Sequence, residues 1–414
     1  MTLYLLEPID TQFHRSTLPF DAGADGDTAT QPLPWPRTVY GAMRALGFSQ
    51  AGISLAMGSS SISHPVWGTQ DELGDFFIKG PFLFSKSRRR NKILLPAPAD
   101  LAAAKDKKDN LLRHCVPNEA CSIASCSDCS CLPGACMIQV IGKKAKETVK
   151  SLDNERFLPS GGMLSGYLLQ NLGNMDKEKL SPERKDVFAP EPRVGIMRSA
   201  RTHTVQEGQL YSATHYRMRD RLNKQKREFG YWLKIETRNG AELSLPERGV
   251  FHLGGERRPV RYCRVKADDA LQEDWASASR DEVIQMIACH GRFKLFLITP
   301  GIFEGKVHPF EETGEEIFIN IKEPEMRARL VGMTMNRQIP IGGWDIQKSY
   351  PKPLQRAVSD GAVYFFCIEN WPESTSDRER LASKVFDALN FRSLCSGNFE
   401  KEGFGIVLIG GWHV

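Results

Sequence analysis

The 414-residue chain lacks several features that would place it in a familiar class. No apolar run approaches the roughly 20 residues that span a bilayer, and the longest, Phe293–Thr299 and Phe404–Ile409, are strand-sized. The opening MTLYLLEP has no basic segment before its apolar residues, so we predict no signal peptide, no membrane association and a cytoplasmic location. Walker A, HExxH and GxSxG motifs are missing, as is a GxGxxG between a strand and a helix.

The chain also lacks a large excess of charge of one sign, because it has 55 Lys and Arg residues and 50 Asp and Glu residues. A net charge of +5 is too weak to predict nucleic-acid binding by itself, so local clustering must decide. The densest basic segment runs from Arg193 to Arg227, with histidines and tyrosines interleaved and only Glu207 and Asp220 as acids. Such a mixture supplies phosphate contacts and stacking surfaces for single-stranded RNA.

The order of predicted elements favours an α+β fold with antiparallel sheets. One predicted helix, Val39–Phe48 with Thr38 as its N-cap, has two distinct faces. Val39, Met43 and Leu46 form an apolar stripe, and the opposite face carries Arg37, Tyr40, Gly41 and Arg44. This second face suits either an anionic partner or solvent.

Six of the ten cysteines lie within 22 residues, which favours a metal site over disulfides in a reducing compartment. Cys126 and Cys129 form a CxxC, a spacing typical of zinc ligands. We predict one structural zinc ion, with the remaining ligands left open. The candidates are Cys115, Cys121, Cys126, Cys129, Cys131 and Cys136, and the alternative is a flexible or disulfide-bonded loop.

Several segments in a fixed order resemble one known family. They include EPIDTQFHRSTLPF at 7–20, PLPWPRTVYGAMRAL at 32–46, PRVGIMRSARTHTVQEGQLYSATHYRMRD at 192–220, IGGWDIQKSYPKPLQRAVSDGAVYFF at 341–366 and FGIVLIGGW at 404–412. The chain thereby resembles the third subunit of the Cmr-type (type III-B) CRISPR RNA-guided effector complex, in the repeat-associated RNA-binding (RAMP) superfamily. The cysteine cluster is a departure from the family pattern.

The resemblance implies two ferredoxin-like, RRM-related lobes with antiparallel sheets, which we place at 1–190 and 191–414, with a cysteine-rich insertion at about 101–136. It implies an antiviral subunit without catalytic activity that binds the repeat-derived 5′ tag of the CRISPR RNA. It also implies docking against the large polymerase/cyclase-type subunit and the backbone subunits, with target RNA met indirectly. Matching residue by residue, the expected RNA contacts are Phe13, His14, Arg15, Arg37, Tyr40, Arg44, Arg193, Arg198, Arg201, His203, Arg219, Trp344 and Lys348.

Two alternatives remain open at the level of the sequence. The chain could be a CRISPR RNA-processing endonuclease of the same superfamily, with His14 as general acid or base. It could also be a scaffold that binds only protein, which salt-dependent RNA affinity would distinguish from the other two functions.

Overall fold

A computed structural model of the chain describes most of its residues. They are 1–17, 27–28, 30–55, 62–86, 91–104, 112–122, 136–140, 149–152, 155–173, 180, 182–199, 201–222, 225–238, 240–241, 243–266, 275–314, 316–322, 325–345 and 350–414. The fold is α+β with mostly antiparallel sheets, as the sequence predicts. None of the helices in these ranges combines the length and the apolarity that crossing a bilayer requires.

Two seven-stranded antiparallel sheets dominate the fold. The first sheet, in spatial order, contains Phe157–Pro159, Asn91–Pro96, Phe76–Lys86, Glu228–Thr237, Thr2–Pro8, Arg258–Arg264 and Arg248–Leu253. The second sheet contains Glu311–Thr313, Glu316–Ile321, Met326–Thr334, Val363–Ile368, Arg292–Leu297, Ile406–Gly411 and Arg392–Ser393. The first sheet therefore combines strands from before residue 190 with strands from after it. The sheets divide the chain after Arg264, whereas the predicted domain boundary lies at 190/191.

Six α-helices accompany the sheets in the described residues. They are α1 (Pro36–Gln50), α2 (Gly162–Leu168), α3 (Arg184–Val187), α4 (Arg280–His290), α5 (Thr375–Leu389) and α6 (Gly397–Lys401). The helix predicted at 39–48 is confirmed, but Thr38 is not its N-cap. Trp35 occupies that position and Pro36 begins the helix, where proline's missing N–H costs nothing.

The first sheet contributes to two cores, one on each face, although its edge strands Arg248–Leu253 and Arg258–Arg264 leave one face exposed. Alternation along Thr2–Pro8 turns Tyr4 and Leu6 towards α1 and turns Leu3 and Leu5 towards the second sheet. The core on the side of Leu3 and Leu5 includes residues from Leu3 to Trp412, so both large sheets contribute to it. The two halves of the chain are thus packed as one body through a common apolar interior.

The cysteine-rich region contributes part of a four-stranded sheet, ordered Cys136–Val140, Leu112–Ser122, Leu101–Ala104 and Val149–Ser151. Leu101, Leu112 and Val116 are buried in the shared core. The base of the predicted insertion is therefore an integral layer of the fold, although its polar composition indicates a separate segment. Residues 123–135 lie outside the described residues.

Smaller sheets carry the surfaces discussed below. Phe188–Arg198 and Val205–Met218 form a long hairpin, here called the arm, which Asp27–Thr28 joins in parallel. The other small pairings are Gly301–Ile302 with Gln355–Val358 and Gln338–Ile341, His14–Arg15 with Thr30–Gln31, Ser63–His64 with Gly68–Thr69, Arg221–Leu222 with Gln225–Lys226, and Trp344–Asp345 with Tyr350–Pro351.

A buried ion pair joins the cysteine-rich region, the first half of the chain and the second sheet. Lys294 Nζ lies 3.1 Å from Asp100 Oδ2, and both side chains are almost wholly buried. The Tyr167 hydroxyl donates to Asp100 Oδ1 over 2.9 Å, and Lys294 Nζ lies 3.7 Å from the centre of the Tyr167 ring. Burial raises the pKa of Asp100 and lowers that of Lys294, while their mutual attraction opposes both shifts.

Replacing Asp100 by asparagine should destabilise the fold strongly. The variant keeps the shape of the side chain but leaves the Lys294 ammonium without a countercharge in the core. We expect a loss of about 3–5 kcal/mol in the free energy of unfolding, measured by urea denaturation. Lys306→Ala removes only an exposed pair with Glu312 and should cost under about 1 kcal/mol. Equal losses in the two variants would contradict this account of the core.

Candidate RNA-binding surface

The basic face of α1 meets an anion of the same chain. Arg37 Nε donates to both carboxylate oxygens of Glu402, over 2.9 and 3.1 Å, and the guanidinium packs on the rings of Phe399 and Phe404. Glu402 is buried, and burial raises its pKa while Arg37 opposes the shift. The anionic partner that the sequence predicts for this face is therefore, at Arg37, an internal carboxylate rather than RNA.

Arg44 is also committed to internal partners. Its Nε donates to the Trp67 carbonyl over 2.7 Å, and one terminal nitrogen donates to the carbonyls of Thr69 and Glu72. Tyr40 is buried and stacks in parallel on Phe76, with 4.2 Å between ring centres. Both side chains therefore hold the segment 62–76 against α1, and the burial of Tyr40 argues against direct contact with RNA.

Phe13 and His14 lie inside the protein rather than on its surface. Phe13 stacks on His215 with 4.8 Å between ring centres, and His14 is 4% exposed. Neither ring nitrogen of His14 has a hydrogen-bond partner among the described residues, and burial lowers its pKa to about 3. A neutral, enclosed imidazole cannot neutralise a phosphate. Arg15, the next residue, is exposed and keeps its predicted place on the surface.

Five of the predicted RNA contacts lie on or beside the arm. They differ in whether their side chains already bond to groups of the protein. Arg193 donates to Thr11 Oγ1 over 3.1 Å and to Glu191, and Arg219 donates to the Lys185 carbonyl over 3.0 Å. At the tip, Arg198 Nε donates to the His203 carbonyl over 3.0 Å, which fixes the turn. Arg201 and His203 are exposed, and Arg201 has no ion-pair partner in the described part of the chain. The tip is thus the most available part of the arm.

The end of the arm nearest the first sheet, here called its base, is neutralised by three acids. All three lie outside the basic segment 193–227. Glu191 pairs with Arg217, Asp10 lies 2.9 Å from Arg217 and 3.5 Å from Arg258, and Glu256 pairs with Arg258. Glu256 also lies 3.5 Å from His215 Nε2. Counting acids within 193–227 misses this network, because two of its carboxylates are far away in sequence.

The hairpin of Trp344–Asp345 and Tyr350–Pro351 exposes aromatic rings. Trp344 is 53% exposed and Tyr350 is 69% exposed. Trp344 pairs with Pro351 and Asp345 with Tyr350, so the two rings point to opposite faces of the hairpin. Each can stack on a separate base. The sequence predicts Trp344 but misses Tyr350, and Lys348 lies outside the described residues.

A cavity of about 650 Å³ lies beside Arg37 of α1, lined mainly by residues from 302–310 and from 394–402 around α6. Its ionisable lining is mixed: Arg37, Lys306, His308 and Lys352 with Asp71, Glu304 and Glu402. Three acids balance the three permanently charged bases, so the cavity lacks the excess positive charge that a phosphate site needs.

Only part of the predicted zinc site is described. Ser122 is the register partner of Cys136, which places the backbones of Cys121 and Cys136 together at the outer end of their hairpin. Cys115 pairs with Val140 at the other end, about 20 Å along the strand from Cys121. Burial raises the pKa of the Cys115 thiol to about 12. The distance of Cys115 from Cys121 and Cys136 favours a zinc ligand set without Cys115.

The other predicted ligands, Cys126, Cys129 and Cys131, lie outside the described residues, and so do the side chains of Cys121 and Cys136. Within the described side chains no group of three or more potential ligands converges. The zinc ion therefore stays a prediction.

Comparison with known proteins decides the family. The sequence model described as CRISPR-associated protein (Cas_Cmr3) matches residues 4–412. The chain belongs to this family. The resemblance to the third subunit of the Cmr-type (type III-B) effector is thereby confirmed over nearly the whole length. No curated protein matches this member of the Cas_Cmr3 family.

Two solved structures match the chain distantly. One is a chain in a cryo-EM structure of the type III-B Cmr-beta bound to cognate target RNA and AMPPnP. It has 14% identity and a TM-score of 0.42, over 88% of this chain and 86% of that chain. The other is in the type III-B Cmr-beta bound to cognate target RNA, with 14% identity and a TM-score of 0.41, over 92% and 93%.

Proposed function

We propose that this Cas_Cmr3 protein is a subunit of a type III-B CRISPR effector complex that binds the 5′ tag of the CRISPR RNA for antiviral defence. It docks the large polymerase/cyclase-type subunit and the backbone subunits, and meets target RNA through the assembled complex. The observation that carries the proposal is the family match over residues 4–412, which includes the arm. We further propose that each large sheet belongs to a ferredoxin-like, RRM-related lobe.

The arm has the properties that this function requires. Its tip offers Arg201 and His203 to solvent, and arginine donates to phosphate oxygens in a planar, paired geometry. Val194 and Ile196, two residues apart on one strand, are 69% and 47% exposed, and Val205 lies across from Arg198. Exposed apolar side chains on a projecting hairpin favour contact with bases or with a neighbouring subunit.

Tag binding should depend on salt and on the arm tip. The double variant Arg198→Ala/Arg201→Ala removes two candidate phosphate contacts without touching the core. We expect the slope of log affinity against log salt for the tag RNA to fall in magnitude by about 1.4, or about 0.7 per contact. The measurement is a salt titration of RNA binding by the assembled complex.

The matched control is Lys384→Ala, which removes an exposed cation on α5 and should leave the slope unchanged. An affinity independent of salt in the unmodified complex would contradict tag binding. That result would support the scaffold that binds only protein.

We propose that the subunit is not catalytic, and the environment of His14 supports this. A base whose pKa is about 3 holds little affinity for a proton at neutral pH, and His14 lies buried beside Gly254. The endonuclease alternative requires His14 to reach a ribose or phosphate oxygen. The isolated chain should therefore leave repeat RNA intact, as seen by gel electrophoresis. Cleavage that His14→Ala abolishes would instead establish the endonuclease.

His14 should also make folding sensitive to acid. Its pKa is depressed in the folded state, so the unfolded chain takes up the proton first and stability falls as pH drops below about 6.5. At pH 5.5 the loss is about 1.4 kcal/mol relative to a variant without this titration, such as His14→Gln. Urea midpoints of both proteins at pH 7.5 and pH 5.5 measure the difference. An identical pH dependence would mean that His14 is not enclosed in solution.

We propose one structural zinc ion per chain, held by thiolates from Cys121, Cys126, Cys129, Cys131 and Cys136. The pairing of Ser122 with Cys136 supports the proposal, because it brings two candidates to one end of a hairpin. Elemental analysis should find close to one zinc per chain. The double variant Cys121→Ser/Cys136→Ser leaves three of these thiolates and should lose the ion, because structural zinc takes four ligands, whereas the matched control Cys115→Ala should keep it. Metal-free protein as purified, or loss of zinc from the Cys115 variant, would contradict this ligand set.

A further inference from the structure

The two strands at one edge of the first sheet carry a basic surface that sequence motifs do not mark. Arg248–Leu253 is the outermost strand and pairs with Arg258–Arg264. We call this pair, with its connecting turn, the edge hairpin. One face buries Phe251, Leu253, Val260 and Tyr262 in the core beneath α1. The opposite face presents Arg248, Val250, His252, Arg261 and Cys263 to solvent.

The cations of the edge hairpin have fewer internal hydrogen-bond and ion-pair partners than those of the predicted site. Arg37, Arg44, Arg193 and Arg219 are all held by internal oxygens, as described above. Arg248 and Arg257 are exposed and, among the described residues, have neither an ion-pair nor a hydrogen-bond partner. Arg261 has only a 3.7 Å contact with the partly exposed Glu7. Unpaired guanidinium groups keep all five donors for an external anion.

The turn of the edge hairpin places two residues other than glycine in a backbone region that such residues seldom adopt. Glu256 and Arg257 have φ values of 52° and 48°, in the left-handed region that disfavours side chains. Gly255 N–H donates to the Phe13 carbonyl over 2.8 Å, and Glu256 pairs with Arg258 and lies near His215 of the arm. Backbone strain of this kind concentrates at functional sites. Here it keeps Arg257 exposed beside the base of the arm.

We propose that the exposed face and turn of the edge hairpin bind the phosphate backbone of single-stranded RNA as it leaves the arm. The inference rests on the proposed function and adds a second RNA surface to it. Arg257 lies next to the arm base, and Arg248 lies about 17 Å along the strand from Leu253. The two free arginines therefore span several nucleotides of an extended chain.

The composition of this face favours RNA over a protein partner. Val250, 54% exposed, is the single large hydrophobic side chain that the edge hairpin exposes. The core of a protein interface is apolar and poor in charge, with aromatic anchors, and this face has none. A surface of arginines without exposed aromatic rings instead suits contacts to phosphates that do not depend on base identity.

The test is a salt titration of the full chain with a fluorescein-labelled oligouridylate. Arg248→Ala/Arg257→Ala should weaken binding and lower the magnitude of the log–log salt slope by about 1.4, or about 0.7 per contact. Both side chains are exposed and unpaired, so folding should be unaffected, which circular dichroism and the urea midpoint verify. The charge-matched control is Lys322→Ala/Lys384→Ala, which removes two exposed, unpaired cations far from the edge hairpin in sequence.

The outcomes separate this inference from the proposed function. If the arm-tip variant weakens binding and the edge-hairpin variant behaves like the lysine control, the edge hairpin does not bind RNA and the proposed function stands. If the unmodified chain and the assembled complex both bind RNA without salt dependence, both proposals fail. An edge-hairpin variant that binds RNA normally but no longer assembles with other subunits would identify the face as a protein interface and overturn the inference.

Discussion

The interaction on which the rest of the structure depends is the burial of Lys294 against Asp100. A lysine in the middle of a sheet strand is tolerated because Asp100 supplies a countercharge and a hydrogen-bond acceptor, while the Tyr167 ring lies over the ammonium and its hydroxyl donates to Asp100. These partners come from the first half of the chain, beside the cysteine-rich region. The pair therefore ties three segments to one point in the shared core.

Burial and pairing of charge also decide which arginines are available to a ligand. Arg37 stabilises the otherwise costly burial of Glu402, and Arg44 donates to backbone carbonyls of residues 67–72. Removing either side chain leaves buried polar groups unpaired, so loss of RNA binding in such a variant would not distinguish a contact from a folding defect. Arg201 and Arg248 have no such internal role, and substitutions there report on the ligand directly.

The sequence predicts the fold class and many individual elements, because apolar periodicity reflects burial directly. The helix predicted at 39–48 lies within α1, and the strand-sized apolar runs Phe293–Thr299 and Phe404–Ile409 overlap the strands Arg292–Leu297 and Ile406–Gly411. Sheet membership was not predictable in this way, since Glu228–Thr237 joins strands more than 130 residues away. The pairing of charges at the candidate site was not predictable for the same reason. Asp10 and Glu256 neutralise the base of the arm from distant positions that no local count of charge detects.

His14 illustrates why a residue in a family motif need not touch the ligand. Its motif neighbours predict a surface contact, yet His14 is enclosed under a glycine turn in which a Cβ on Gly254 would lie 2.7 Å from Nδ1. The same turn places Arg257 in solvent. A change that alters the packing of Phe13 or His14 would therefore shift the edge hairpin relative to the arm. In the proposed function the motif therefore has an indirect role, because it supports the turn while the candidate phosphate contacts are the exposed arginines outside it.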